Sequence, residues 1–149
     1  MPQTYVLGFL FDRELQNVVL IEKQKPDWQK GRYNGVGGKL EDGETLNAAM
    51  SREFHEEAGV LVAPEAWTQY ATITGADGRH FAVHVFYAQD AQLWMSRTME
   101  EERVIVTDVK AVLQSEFKTL GNVPWLVAMA CAVAAGKETC KLFNIEERA

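Results

Sequence analysis

The stretch from Gly38 to Val60, GKLEDGETLNAAMSREFHEEAGV, constrains this chain more than any other. Its glutamates Glu53, Glu56 and Glu57 stand at i, i+3 and i+4. On an α-helix these positions share one face, with neighbouring Cβ atoms about 5–6 Å apart. Like charges that close repel, so the face must be fully solvated or lie under a cation. The remaining residues define the helix. Thr45 is placed to cap its start after the Asp42-Gly43 turn, and Gly59 can take the left-handed conformation that ends it. Leu46, Ala49, Met50 and Phe54 form an apolar stripe opposite the carboxylates. Arg52 lies beside Glu53 and four residues before Glu56, where it offsets the repulsion, and Glu44 is its expected partner just before the helix.

A charged, solvated face explains E-x-x-E-E taken alone. It does not explain why Gly38, Arg52 and Gly59 stand at set distances from it. Hard carboxylate oxygens suit Mg2+ or Mn2+, and no histidine or cysteine clusters here to suggest zinc. The expected metal ligands are Glu53, Glu56 and Glu57, with the Gly38 carbonyl, because Gly37 and Gly38 let the backbone approach closely. A metal-bound water can serve as the nucleophile in hydrolysis of a phosphate chain.

The rest of the chain sets bounds. Its 149 residues, 47% hydrophobic and 24% charged, suit one globular domain over 1–149. A net charge of −6 argues against a polymeric nucleic acid as partner, while a phosphorylated small molecule remains compatible through a divalent cation. No apolar run has membrane-spanning length, so no membrane is expected, and the N-terminus lacks a basic region and cleavage site. Cys131 and Cys140 read as reduced thiols, and the expected compartment is the cytoplasm.

Strands are expected over Thr4–Phe11 and Val18–Glu22, joined by a polar turn from Asp12 to Asn17. Lys23 to Arg32 reads as a loop. Further strands are expected at Leu61–Ala63, Trp67–Thr74, His80–Ala88 and Val104–Val106, with Ala76-Asp77-Gly78 as a turn. Val123 to Ala135 is apolar nearly all round and should be a largely buried helix, with Asn122 as N-cap and Pro124 in its first turn. Strands interrupted by two helices suggest an α/β chain with a mixed sheet between helical layers.

Gly38, Glu44, Arg52, Glu53, Phe54, Glu56, Glu57, Gly59 and Val60 fit the spacing G-x5-E-x7-R-E-U-x-E-E-x-G-U, where U is a bulky apolar residue. This resembles the Nudix box, the signature of hydrolases that cleave nucleoside diphosphates linked to another group. The resemblance implies an α/β/α sandwich. It also implies Glu53 as first choice for the base that takes a proton from water, with Arg52 and Glu44 orienting the set. Residues alone do not separate ligand from base among adjacent carboxylates.

The approach to the box, Trp28 then Tyr33-Asn34-Gly35-Val36-Gly37-Gly38-Lys39, looks like the MutT-type branch that hydrolyses oxidised purine nucleoside triphosphates. That resemblance implies that Asn34 reads a base edge, that Trp28 stacks on the base, that Tyr33 joins them, and that Lys39 grips phosphate. Asn122 falls near the late-helix position that faces the base, but the acidic pair of the 8-oxo-guanine enzymes is absent there. Each has a plainer reading: Asn34 as a turn residue, Asn122 as a cap, Trp28 as loop packing, Lys39 as a solvated lysine. Lys23, Lys25 and Arg32 are weaker phosphate candidates. Glu100, Glu101 and Glu102 read first as a solvated run and second as the source of an extra metal ligand or base.

His55, His80 and His84 are read as structural, and Trp94, Met95 and Trp125 as packing residues. The expected activity is a Mg2+-dependent pyrophosphohydrolase of nucleoside triphosphates, as monomer or homodimer. The alternatives are a Nudix hydrolase of ADP-ribose, a dinucleotide cofactor or a nucleotide sugar, and a non-catalytic nucleotide-sensing module.

Overall fold

The computed structural model describes residues 3–76, 79–138 and 142–148. The turn expected at Asp77-Gly78 and the thiol of Cys140 lie outside them.

Nine extended residues, Gln3–Phe11, form β1 at the centre of a mixed sheet. Its even residues Val6 and Leu10 and its odd residues Leu7, Phe9 and Phe11 enter different apolar clusters, so both faces of the strand are buried. The polar turn forms as expected, and its anchor is Asp12. The buried Asp12 carboxylate accepts the main-chain N–H groups of Gln16 and Asn17 at 2.7 and 3.0 Å, and leads into β2, Asn17–Glu22.

One edge of β1 runs parallel to β6, Phe81–Gln89, along its whole length. The other edge forks. Near its end, Phe11 faces Val18 of β2, whereas Tyr5 to Gly8 face Lys39 to Val36 of β4, Val36–Lys39. The short β3, Tyr33–Asn34, and β7, Val104–Asp108, both pair with β2. Beyond β6 lie β5, Thr68–Gly75, and then β8, Phe143–Glu147, parallel to β5.

The fork requires glycine. A Cβ on Gly37 would stand 2.1 Å from the Val6 carbonyl oxygen, so only glycine lets β4 lie this close to β1.

Helix α1, Leu46–Ala58, covers one face of the sheet. Its Ala49, Met50, Phe54 and Ala58 pack with Val6, Leu10, Ile21, Val36 and Phe86. The other face is covered by α2, Val109–Leu113, and α3, Val123–Ala134. There Val123, Leu126, Val127 and Ala130 meet Leu7, Phe9, Val18, Tyr70 and Val85, and the Tyr70 hydroxyl donates to the Leu126 carbonyl at 2.8 Å. The result is the expected α/β sandwich with a mixed sheet between helical layers.

Several details differ from expectation. Leu61 to Ala63 is not a strand: the Ser51 hydroxyl holds the Val62 carbonyl, and Pro64, which has no N–H for a sheet ladder, starts a 3-10 turn. The short α2 and β8 are additional elements. Asn122 precedes α3 but its side chain makes no capping bond, because its backbone is already helical. Trp94 and Met95 are not packing residues, being 62% and 65% exposed on a 3-10 turn over Ala91–Met95.

Replacing Gly37 with alanine should destabilise the fold by roughly 3 kcal/mol or more, since the added methyl meets rigid backbone rather than a side chain that can yield. Urea unfolding followed by far-UV circular dichroism measures this; an unchanged midpoint would contradict the close approach of β4 to β1.

Candidate metal site and nucleotide cleft

The sequence cues for α1 form as written. Thr45 Oγ1 accepts the Ala48 N–H at 3.1 Å, and Gly59 ends the helix at φ 77°. The helix thereby presents Glu53, Glu56 and Glu57 beside β4.

Arg52 organises this end of the molecule. Its Nε and Nη2 donate to the two oxygens of Glu44 at 2.7 and 3.0 Å, and Nη2 also reaches the Lys39 carbonyl at 3.1 Å. Its Nη1 donates to Glu53 at 2.9 Å and to Glu56 at 3.3 Å. Paired charge-assisted bonds of this kind fix direction as well as energy. They hold the Glu44 carboxyl below its ordinary range and raise the arginine's pKa.

The carboxylates respond differently to their surroundings. Burial raises the Glu53 carboxyl against the opposing pull of Arg52. Glu57 is pushed up to about 8, chiefly by burial and then by the charge of Glu53. Its Oε2 is buried with no hydrogen-bond partner. Gly38 lies against Glu53: a Cβ there would stand 2.4 Å from its carboxylate. Glu56 is exposed and accepts from Arg52.

Among the described residues, no three acidic, histidine or cysteine side chains stand together as a finished metal cage. Repulsion and the pull of Arg52 account for that spread. The donor set nevertheless fits a hard divalent cation: only oxygen donors, one of them buried and unpartnered, beside a glycine that leaves room for nothing larger.

Glu102 departs from the expected solvated run. It is well covered, pairs with Lys23 Nζ at 3.2 Å and accepts the Gln24 N–H at 2.6 Å. With Lys25, Glu100 and Glu101 it lines a small cavity against Glu57.

A larger cleft of about 900 Å3 opens on the sheet face that carries α3. Gly37, Gly38 and Lys23 line it on the side of the carboxylates, with Lys25 and Arg32. Trp28, Asn34 and Asn122 also line it, so three of the expected base contacts come together. Asn34 Oδ1 accepts the Gly35 N–H at 2.8 Å, so the turn reading and the cleft placement both hold. Trp28 is 68% exposed.

Two expected contacts are placed elsewhere. The Lys39 side chain is exposed, and it is its carbonyl that joins the site, through Arg52. Tyr33 lies between the cleft-lining Arg32 and Asn34, but its ring packs on Phe117 and its hydroxyl accepts a bond from Arg103.

The far walls are formed by residues not expected at the site from sequence. Trp125, expected to pack, is instead 42% exposed and lines the cleft. Arg79, Phe81, Ile145 and Glu147 complete it. The alternation of Phe143 and Ile145 was the available signal, but the segment is too short for it to stand out.

A sequence model of the NUDIX domain family matches residues 1–125. The oxidized purine nucleoside triphosphate hydrolase of Mus musculus is 43% identical over 44 residues, 30% of this chain and 28% of that protein. The chain thus matches less than a third of the length of such curated relatives. A NUDIX hydrolase structure from Nitrosomonas europaea superposes with a TM-score of 0.74 at 18% identity, covering 98% of this chain and 80% of that one. The NUDIX domain of Shewanella oneidensis NrtR, solved with ADP ribose, gives 0.71 at 18% identity, covering 89% and 88%. These two likenesses concern the fold.

Replacing Glu57 with glutamine should raise the melting temperature of the protein in EDTA at pH 9, because there the carboxyl, pushed up to about 8, is ionised and the substitution removes a buried charge that has an unpartnered oxygen. Differential scanning fluorimetry in EDTA reads this directly. A lower melting temperature would mean that the Glu57 charge is compensated.

Proposed function

We propose that this chain, which belongs to the Nudix family, is a Mg2+-dependent pyrophosphohydrolase of nucleoside triphosphates acting as a single domain. The observation that carries this reading is continuity. Gly38 is common to the carboxylate site and to a cleft lined by Trp28, Asn34 and Trp125. A nucleotide spanning that distance would place its base among the aromatics and its phosphates beside the acids.

The base end offers what a purine requires. Two exposed tryptophans provide flat apolar surface, and stacking of a base on such a ring contributes about 1–3 kcal/mol. The Asn34 oxygen accepts from Gly35, and its amide nitrogen carries two hydrogens that could be donated to a base edge. Arg32 and the exposed Lys25 supply positive charge along the cleft for the phosphate chain, while Lys23 there is paired with Glu102.

Glu53, Glu56, Glu57 and the Gly38 carbonyl would hold Mg2+. A divalent cation there would offset phosphate charge and acidify water. Arg52, fixed by Glu44, holds Glu53 in place. Burial makes Glu53 a stronger base than an ordinary carboxylate, and it is assigned to take the proton from the attacking water. The water oxygen bonds to phosphorus, the anhydride P–O bond breaks, and the products are a nucleoside monophosphate and pyrophosphate.

The partial similarity to an oxidized purine nucleoside triphosphate hydrolase supports a purine triphosphate, with an oxidised base such as that of 8-oxo-dGTP as first candidate. The second reading is a diphosphate-linked compound, favoured by the ADP ribose held in the similar fold of NrtR and by the open cleft.

Incubation with Mg2+ and a panel of natural and oxidised nucleoside triphosphates, ADP-ribose and nucleotide sugars should yield monophosphate and pyrophosphate from one or a few triphosphates, resolved by ion exchange. Cleavage of the diphosphate-linked compounds alone would select the second reading. Folded Glu57→Gln protein should lose turnover by about 100-fold or more; retained activity would remove Glu57 from the metal site. Trp28→Ala should raise KM by about tenfold with kcat little changed, as loss of one base stack predicts.

A further inference from the structure

We propose that Tyr33 is a positioning residue that holds the base-binding wall of the cleft in register with the acidic segment Glu100 to Glu102, which lines the small cavity against Glu57, an inference that rests on the nucleotide reading above. Tyr33 stands between the cleft-lining residues Arg32 and Asn34. Its own groups are engaged elsewhere, and they reach both the segment leading into α3 and the residue next to Glu102.

The base-binding wall is the segment leading into α3. The Tyr33 N–H donates to the Lys118 carbonyl at 2.9 Å, and its carbonyl accepts the Leu120 N–H at 3.0 Å, an isolated parallel bridge centred on Thr119. The ring meets Phe117 edge to face, with centroids 5.3 Å apart. This attachment continues directly into Leu120, Gly121, Asn122 and Trp125, all of which line the cleft.

The acidic segment carries Glu102, which lines the small cavity beside the cleft. Its neighbour Arg103 donates a guanidinium bond to the Tyr33 hydroxyl and lies 6.0 Å over the ring, with Nε 3.6 Å from Glu22. The Arg103 carbonyl accepts the Glu22 N–H at 2.9 Å. Glu102 in turn holds Lys23 and the Gln24 N–H at the start of the loop that carries Trp28. The Tyr33 side chain therefore connects the segment before α3 to the acidic segment before β7, and Glu102 ties that segment to the loop bearing Trp28.

Simple packing accounts for a ring on Phe117. It does not require a hydroxyl bonded to an arginine that is itself largely in solvent. The two main-chain bonds form with any residue at position 33, so the side chain's anchors at Phe117 and Arg103 decide where the attached segment rests.

The test compares wild type with Tyr33→Leu, Tyr33→Phe and Arg103→Gln, using 8-oxo-dGTP, dGTP and ATP as substrates and amide hydrogen exchange over residues 117–125. Tyr33→Leu should speed exchange in that segment and raise KM about tenfold while kcat stays within about threefold. Tyr33→Phe keeps the ring on Phe117 and loses the bond to Arg103, so it should recover most of the affinity, with KM about threefold above wild type, and Arg103→Gln should match it. These two conservative variants carry the test if Tyr33→Leu does not fold. Active wild type with unchanged exchange and KM in the variants would overturn the positioning role alone. A loss of kcat at unchanged KM would overturn it too, since cleft alignment would then not be what Tyr33 governs. Wild type that turns over no triphosphate would overturn the substrate reading, and this inference with it.

Discussion

Everything at the acidic end depends on holding like charges together on one helix face. Arg52 does this by dividing its donors among Glu44, Glu53, Glu56 and the Lys39 carbonyl. The glutamates are not neutralised equally. Glu44 and Glu53 are fixed, Glu56 is exposed and more loosely held, and Glu57 is left buried with an unpartnered oxygen. The arrangement sacrifices stability at Glu57 for chemistry, as buried functional charges generally do. The cost is met on the other side of α1, where Met50 and Phe54 are fully buried against the sheet.

The close approach of β4 places this end against the cleft. Gly37 lets β4 lie on β1, and Gly38 lets the Glu53 carboxylate come up to the backbone. The fork in the sheet sends β2 and β3 to one side of β1's outer edge and β4 to the other. Asn34 on β3 and Gly38 on β4 are thus only a short stretch of chain apart, yet belong to different ladders and to opposite ends of the proposed nucleotide path.

Local information made the helix legible from sequence. A cap, a period, a left-handed glycine and one arginine all fall within a few residues of the face they organise, so spacing alone carries their geometry. Trp28 and Asn34 were legible as members of a motif, and both line the cleft. Trp125 was not, because nothing local distinguishes an aromatic that lines a cleft from one that fills a core. The same applies to Glu102, whose neighbours in sequence suggest solvent and whose partner Lys23 comes from a distant strand end. Tyr33 was drawn into the site by its neighbours; its direction is set by Phe117 and Arg103, far along the chain. Asn122 stands at a helix start, where residue type suggests a cap, but its backbone is already helical.

The bonds of Arg52 also bear on the length of the segment between β4 and α1. One guanidinium touches the last residue of the strand, the carboxylate before the helix and two residues of the helix itself. The Glu41 N–H adds a tie to Glu44 at 2.9 Å. The connection from Leu40 to Thr45 is therefore a gauge rather than a tether. An inserted or deleted residue would move Glu44 off the arginine or the arginine off the strand. Most surface loops drift in length because their ends are fixed only by the elements they join. Here the interior of the loop is fixed as well, and its length is as much a part of the site as any of the side chains.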